Sequence, residues 1–546
     1  MRFSELAKIY DRVGRAEKDA ERVGLLAEVF KGAEEIDLPA IAHFTLGQLV
    51  PPELSDRLAI GPATIKEQVS ILTGMNLTEI EAEIKATGDL SEVAESYEGG
   101  KDSLEVNELW NLLLDAINKE KPRARVVKEI FEKTNPAGAK YFTRMALNQM
   151  RINVGLGSMT RALARAFEVS PASIEHLYVM TNDIGLAARQ AKKGERALKD
   201  SGLTLFRPYQ FMNADKIENP EEIIPSSTNT KKQWIFETKY DGARLQIHIR
   251  KEPFAVKLYS RRLNDDTAAM PDIVAAIRES WQGGDAIIEG EAVAFDPSLK
   301  KRLSFQAVLQ RIGRKHEIEA KIKEIPLVLF LFDLIFDNGE NLMKTELSER
   351  RTRLEKHFNP TSKVKMTESV VSDKRVIMDG FFQKAVKEGQ EGIMVKDPEG
   401  VYLPGRRTDH WMKLKPAFET LDAVIIGGIW GSGRRKGLLS SLIVAVRSEK
   451  NEFLAIGKVG TGFSEKILTD LTERLEPLII SSTGQSVEIE PQIVIEVDFQ
   501  DIQKTDRYQA GFVLRIPRFK RERIDKSINE ADTLSRLKKL YQQFHA

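Results

Sequence analysis

"WIFETKYDGARLQIHIR", residues 234–250, is the stretch on which the fold turns. Strand side chains alternate, so Glu237 and Lys239 share one face of the first run while Phe236, Thr238 and Tyr240 point to the other. Asp241-Gly242 is the strongest short hairpin-turn signal a sequence offers. After it Leu245, Ile247 and Ile249 alternate with Arg244, Gln246 and His248. The two runs predict an amphipathic β-hairpin with a lysine beside its turn. Alone, this is a surface hairpin with a solvated lysine; the surrounding chain decides whether that lysine does more.

The chain has 546 residues, too many for one core, which suggests about three domains. Residues 1–203 read as nearly all helix, with apolar residues at three- and four-residue spacing in "FSELAKIYDRV", "VNELWNLLLDAI" and "TRALARAFEV". Then "LFRPYQFMNADKIENPEEIIPSSTNTKK" shifts to Pro, Asn, Ser and Thr, and the periodicity stops. Residues 204–415 mix strands with helical runs such as "MPDIVAAIRESW" and "KTELSERRTRLEKHF", an α+β pattern. Residues 416–546 carry short strands between Gly and Ser turns, the pattern of a small barrel, and end in a helical run, "EADTLSRLKKLYQQF".

Composition narrows the function classes. Hydrophobic residues make up 42% and charged residues 30%, as in a soluble globular protein. No run has the apolar length of a membrane span, and "MRFSELAKIYDRV" mixes acidic and basic residues on an amphipathic helix rather than forming a signal peptide. Cysteine is absent, which excludes disulfides, thiolate metal sites and cysteine nucleophiles and fits a reducing cytoplasm. The net charge of +1 is uninformative, but the local basic stretch "RIPRFKRERIDK" allows a basic groove.

Seven motifs then fall in one order over roughly residues 234–527: "ETKYDGAR", "YSRRLNDDT", "IIEGEAVAFD", "LFLFDLIFDNGE", "EGIMVKD", "HWMKLK" and "LRIPRFKRERIDKS". They resemble the motif series of ATP-dependent DNA ligases, most closely the archaeal and eukaryotic-core type. The resemblance implies three parts: an all-α DNA-binding domain over residues 1–203, an α+β adenylation domain over 204–415, and an all-β OB-fold domain with a C-terminal helix over 416–546. It implies ATP as AMP donor, Mg²⁺ (or Mn²⁺) as metal, and nicked double-stranded DNA as substrate in replication, repair and recombination. A cytoplasmic monomer is expected.

By the same resemblance Lys239 attacks the α-phosphate of ATP and becomes lysyl-AMP. A free lysine has a pKa of about 10.4, so the site must favour the neutral amine. Lys413 and Lys415, two apart on one strand face, are the expected cationic helpers, together with a metal. Glu237 is implied to accept a hydrogen bond from the adenine amino group. Arg244 and Arg261 resemble nucleotide sugar or phosphate ligands, Phe332 the platform on which adenine stacks, and Arg407 and Lys396 a phosphate-facing wall. Glu291 shares a strand face with Glu289, and paired carboxylates beside phosphate suit a hard cation. Glu291 and Glu391 are therefore the expected metal ligands, with a ribose contact also implied for Glu291.

Arg515, Arg518, Arg521, Arg523 and Lys526 cluster without obvious acidic partners, and in the resemblance this last motif, with Arg518, orients pyrophosphate. In the helical part "VGLGSMTRALARAF" predicts a Gly turn, a Ser158 or Thr160 cap and a helix, with Gly155 and Gly157 near phosphate; "AIGPATIKEQV" around Gly61 is similar. An RNA ligase or capping-type nucleotidyltransferase shares the lysine motif but not some 200 preceding helical residues. An NAD-dependent ligase lacks support without zinc cysteines. A non-catalytic DNA-binding or clamp-recruited scaffold would not retain the whole pocket. Sliding-clamp binding has no evident peptide, because "GGKDSLEVNELW" offers Ser103 and Leu104 where paired aromatics are expected.

Overall fold

Amphipathic spacing builds the first part of the chain. In the helix Phe3–Arg15, the buried residues Phe3, Leu6, Ala7, Tyr10 and Val13 recur every three or four positions and so form one apolar stripe. Successive helices as far as Glu195–Asp200 close around a single apolar core. The computed structural model describes residues 1–87, 89–97, 99–217, 220–225, 232–296, 301–303, 305–314, 316–416, 420–431, 435 and 437–544, so residues 226–231 of the stretch where helical periodicity stops lie outside the described residues. Two compact units result, Met1–Lys415 and Pro416–Ala546, and the helices and the sheets that follow them belong to the first.

The first unit holds twelve strands among its described residues: β1 (Asn213–Lys216), β2 (Trp234–Lys239), β3 (Ala243–Arg250), β4 (Ala255–Ser260), β5 (Ala286–Asp296), β6 (Lys301–Arg302), β7 (Leu327–Asp337), β8 (Glu340–Asn341), β9 (Val364–Met366), β10 (Ser369–Ser372), β11 (Gly392–Lys396) and β12 (Arg407–Leu414). They form two sheets. One has the order β1-β12-β11-β2-β10; the other has the order β4-β3-β5-β7-β8, with β6 on β5 and β9 on β7. Trp234, Phe236, Val395 and Met412 of the first sheet pack on Met378 of the helix Arg375–Lys387. Leu245, Ile247, Ile249, Ile288 and Leu331 of the second sheet pack on Ile273 and Ile277 of the helix Pro271–Ser280. A further cluster takes Phe332 and Ile287 from one sheet and Trp411 from the other, with Tyr209, Tyr402 and Met180.

The expected hairpin does not form. β2 pairs with β10 and β11, whereas β3 pairs with β4 and β5, so Tyr240-Asp241-Gly242 carries the chain from one sheet to the other. Each run buries its apolar side chains in a different core, and that outweighs the local turn preference. Tyr240 stacks on Phe330, with ring centroids 4.1 Å apart, and thereby ties the crossing to β7. A Cβ on Gly242 would lie 2.4 Å from the Ala292 carbonyl oxygen, so only glycine lets the crossing pass this close to β5.

The polar face of β3 also departs from expectation, because it is buried under the segment that leaves the helices. The backbone N–H of Phe206 donates to His248 Nδ1 (3.0 Å), and Gln246 exchanges hydrogen bonds with the N–H and C=O of Tyr209. Burial pulls the His248 pKa down to about 3. An unfolded histidine titrates near 6.5, so between these values the unfolded chain binds the extra proton, and His248 removes stability as pH falls below about 6.5. A His248→Gln variant keeps an acceptor without the titration. The stability gap between parent and variant, measured by urea unfolding, is expected to narrow from pH 7.5 to pH 5; a gap independent of pH refutes this.

The second unit is β-rich. Its strands are β13 (Thr420–Trp430), β14 (Leu439–Arg447), β15 (Phe453–Val459), β16 (Ile479–Thr483), β17 (Ser486–Ile489), β18 (Val494–Asp498), β19 (Asp501–Lys504), β20 (Phe512–Arg515) and β21 (Arg518–Glu522). β13 pairs with β14 along one edge; along the other its first half pairs with β18 and its second half with β17. A strand shared this way must bend, and its pairing shifts register between Ile425 and Gly427. The helix Glu465–Leu475 follows β15 and the helix Leu534–Phe544 ends the described chain, an OB-fold arrangement around Leu421, Ile425, Val444, Ile495 and Leu537.

Candidate active site

Lys239 is the last residue of β2, at the point where the chain leaves the sheet, and its side chain is 21% exposed. Its ammonium pairs with Glu391, whose other carboxylate oxygen pairs with Lys415. Glu391 is positioned by the sheet: its N–H donates to the Lys239 carbonyl (3.1 Å), and Gly392 lies opposite Lys239 in the β11–β2 register. Gly392 has φ of +128°, and a Cβ there would meet the Leu414 carbonyl oxygen at 2.2 Å, so glycine is required where β11 enters between β2 and β12. Burial alone would raise the Glu391 pKa, but the charges of Lys239 and Lys415 outweigh it and hold the carboxylate ionised.

More cations gather beside this bridge. Arg407 and Lys413 reach the Ala214 carbonyl at 3.4 and 3.5 Å, and Arg261 donates to Asn213 Oδ1 (3.0 Å). All three lie along β1, which runs parallel to β12. Burial lowers the Lys413 pKa, and Arg407, Lys415, Lys239 and Arg261 lower it further. The strand ends thus concentrate positive charge that Glu391 only partly balances.

Glu291 sits on β5 opposite Arg244 in the β3–β5 register. Burial pushes its pKa up to about 7 despite the nearby charges of Lys239 and Arg244, and Glu391 and Asp241 push the same way. Among the described residues no side chain donates to this carboxylate. Glu289, expected as its partner in holding a cation, is instead saturated: it accepts from Tyr209 (2.6 Å), Tyr402 (2.5 Å) and Arg244 (2.6 Å) and is fully buried. Two tyrosines and an arginine leave it no capacity for a metal. Arg244 is committed there too, also donating to the Met212 carbonyl (2.8 Å) with its guanidinium over the Trp411 ring, so it does not project toward a ligand as the sequence suggests. No group of three or more metal-ligating side chains occurs among the described residues.

Glu237 faces the same way as Lys239 but does not contact it. Its carboxylate, 2% exposed, lies between Arg351 and Lys396, the latter at 2.5 Å. Lys396 is therefore buried behind the wall it was expected to form, with its ammonium 4.6 Å from the centre of the Phe332 ring. Phe332 is the extra residue of a bulge: Glu289 pairs with Asp333 and Gly290 with Leu331, leaving Phe332 unpaired on β7 and edge-on to Trp411.

Sequence reasoning missed Arg350 and Arg351. The run "LSERRTRL" carries the signal, because Arg350 and Arg351 fall between Leu347 and Leu354 on the apolar stripe of the helix Leu347–Lys356. Arg350 is fully buried and bonds Asp333 through Nε (2.8 Å) and a terminal nitrogen (2.9 Å).

In the second unit Arg518 is exposed on β21, with no ion pair among the described residues. Its neighbours do have the acidic partners the sequence seemed to deny them: Arg521 and Lys520 hold Glu496, while Arg523 and Lys526 hold Asp422. Those carboxylates come from β18 and β13, too distant in sequence to be foreseen. In the helical part the helix Leu156–Phe167 starts with Gly155 as its N-cap, ahead of the expected Ser158 or Thr160 cap. Ser158 instead donates to Asp19 (2.5 Å). Gly61 caps the helix Pro62–Thr73. Leu104 is buried, and no described helix is long and apolar enough to cross a membrane.

Residues 212–415 match the family model described as ATP dependent DNA ligase domain, residues 2–164 that of the DNA ligase N terminus, and residues 435–526 that of the ATP dependent DNA ligase C terminal region. The DNA ligase of Thermococcus fumicolans is 36% identical over 555 residues, covering 99% of this chain and 98% of that protein. The DNA ligase of Archaeoglobus fulgidus is 35% identical over 556 residues, with 99% and 98% covered. A solved structure, Pmar-Lig_PreS3, shares the fold at a TM-score of 0.58 and 18% identity, covering 95% of this chain and 99% of that one.

Proposed function

Because the chain belongs to the family of ATP-dependent DNA ligases, whose general activity is nick sealing, we propose that it seals duplex DNA through three displacements at phosphorus, with Lys239 as the first nucleophile. The observation that carries this reading is the position of Lys239 at a strand end, bridged by Glu391 to Lys415 and near Lys413, which is also close to Arg261 and Arg407. In the first step the Lys239 amine loses its proton and attacks the α-phosphorus of ATP; a P–N bond forms and pyrophosphate leaves. The 5′-phosphate of the nick then attacks the same phosphorus, the P–N bond breaks and the lysine regains a proton. Finally the 3′-hydroxyl attacks the 5′-phosphate and expels AMP.

Arg261, Arg407, Lys413 and Lys415 would hold the phosphates, where cations in a partly buried site act at low effective dielectric. Glu237 would accept the adenine amino group, with Phe332 as the stacking surface. Arg244 would act through Glu289, as a support of that surface. Arg518 would orient pyrophosphate. Glu291, whose carboxylate accepts from no side chain among the described residues, would be the open ligand for a hard divalent cation, and Glu391 would join it by exchanging a lysine partner for the metal. Mg²⁺ or Mn²⁺ held there would supply Lewis-acid neutralisation of phosphate charge. Residues 1–203 are read as the DNA-binding domain, 204–415 as the adenylation domain and 416–546 as the OB-fold domain. The absence of cysteine supports a reducing cytoplasm.

Incubation with α-labelled ATP and Mg²⁺, then a chase with nicked duplex, tests the reading. The label is expected first on the protein and then on the DNA before sealing. Sealing without any labelled protein intermediate refutes it. A Glu391→Ala variant is expected to form the adduct at least about a hundredfold more slowly, since it removes both the bridge and a proposed metal ligand.

A further inference from the structure

Glu237 has unusual surroundings for a residue meant to read a base. Its carboxylate is buried between two cations from separate elements: Arg351 on the helix Leu347–Lys356, and Lys396 on β11. Arg351 is itself held, donating through its other terminal nitrogen to Ser369 Oγ (3.1 Å) on β10. Ser369 lies opposite Glu237 in the β10–β2 register, so guanidinium, hydroxyl and carboxylate belong to one local cross-strand arrangement. Lys396 in turn lies 4.6 Å from the centre of the Phe332 ring and 4.1 Å from that of Trp411. The same ammonium thus touches both the carboxylate and the aromatic surface.

We propose that Arg351, together with Lys396, is a specificity-determining positioning residue that keeps Glu237 ionised and oriented as an acceptor, so that the site takes 6-aminopurine nucleotides and rejects 6-oxopurines. This rests on the reading that Glu237 accepts the adenine amino group. A buried carboxylate without a cation would protonate and become a donor as well as an acceptor. It could then pair with a 6-oxo group as readily as with a 6-amino group. Clamped between Arg351 and Lys396, it offers only lone pairs, and an oxo group placed against it meets like charge. Glu237 Oε1 accepts no hydrogen bond among the described residues, which leaves it a lone pair for an exocyclic amine. The planar fork of arginine sets one nitrogen against the carboxylate as an ion pair while the other is anchored on Ser369; lysine has no such fork.

The test measures kcat/KM for covalent nucleotide attachment with ATP, with GTP and with purine riboside triphosphate, which lacks the 6-amino group. In Arg351→Met the ATP value is expected to fall about 10- to 100-fold and the purine riboside value less than about threefold, so their ratio collapses. GTP use relative to ATP rises. Arg351→Lys is expected to recover part of the ratio, and it serves as the main variant if Arg351→Met does not fold. Equal loss with ATP and purine riboside triphosphate in both variants overturns the proposal, because it marks a purely structural arginine. Glu237→Ala separates the two levels. If it leaves the ratio at the parental value, the reading of Glu237 itself fails. If it collapses the ratio while Arg351→Met and Arg351→Lys do not, only the role of Arg351 fails.

Discussion

A Lys239→Ala variant is expected to form no covalent AMP adduct at all, while still sealing nicks that already carry AMP on the 5′-phosphate. The first half follows from chemistry: methyl replaces the only nitrogen at the end of β2 beside the Glu391 bridge. Lys413 and Lys415 do not substitute for it. Lys415 is tied to Glu391 from the far side, and Lys413 lies against the Ala214 carbonyl. Arginine at 239 is expected to be equally inert, because a guanidinium stays protonated and is a poor nucleophile. The second half separates a missing nucleophile from a damaged fold, since the last displacement makes no bond to lysine. Gel detection of labelled protein, alongside a sealing assay on pre-adenylated nicked DNA, measures both. An adduct that survives in Lys239→Ala transfers the role to another residue.

The largest stability effect is expected from Arg350→Met. Arg350 and Asp333 are both fully buried, and the arginine also donates to the carbonyls of Thr345 (2.6 Å) and Gly400 (3.2 Å). Removing it leaves the Asp333 carboxylate without its counter-charge in the interior, a change of about 3–5 kcal/mol against folding. The double change Arg350→Met with Asp333→Leu removes the stranded charge as well, and should recover a large part of that loss. Urea unfolding of parent, single and double variants measures the difference. A single variant as stable as the parent refutes the argument. Asp333 follows Phe332 on β7, so the single variant is also expected to bind ATP more weakly, through displacement of the proposed stacking surface.

Much of this site was legible before any coordinates. The resemblance of the motif series pointed to Lys239, Glu291, Glu391 and the lysines of "HWMKLK", and the structure brings Lys239, Glu391 and Lys415 into one ion-pair bridge. Three things were not legible. Asp241-Gly242 has the local chemistry of a hairpin, and only the competition between two cores shows that it is a crossing. The alternation of β3 suggested a wet polar face, but the segment from Phe206 to Met212 covers it, a non-local event without periodicity. Nor does the sequence say which carboxylate pairs with which cation. Glu237 shares the strand face of Lys239, yet Arg351 and Lys396 claim it, and Glu391 is the carboxylate that pairs with Lys239. Such choices depend on sheet order, which spacing along the chain does not encode.

The crossing at Tyr240–Gly242 has a consequence for how the protein is made. A hairpin would give β2 a partner within a few residues; instead its partners are β10 and β11, and the Lys239–Glu391 pair spans 152 residues. Closing so long a loop slows assembly, and contacts of such separation form late. While the chain is still being synthesised, β2 therefore has no sheet to join until β10 and β11 have emerged. The Lys239 amine acquires its surroundings only when the first unit is nearly complete, so a truncated product carries Lys239 as an ordinary solvated lysine.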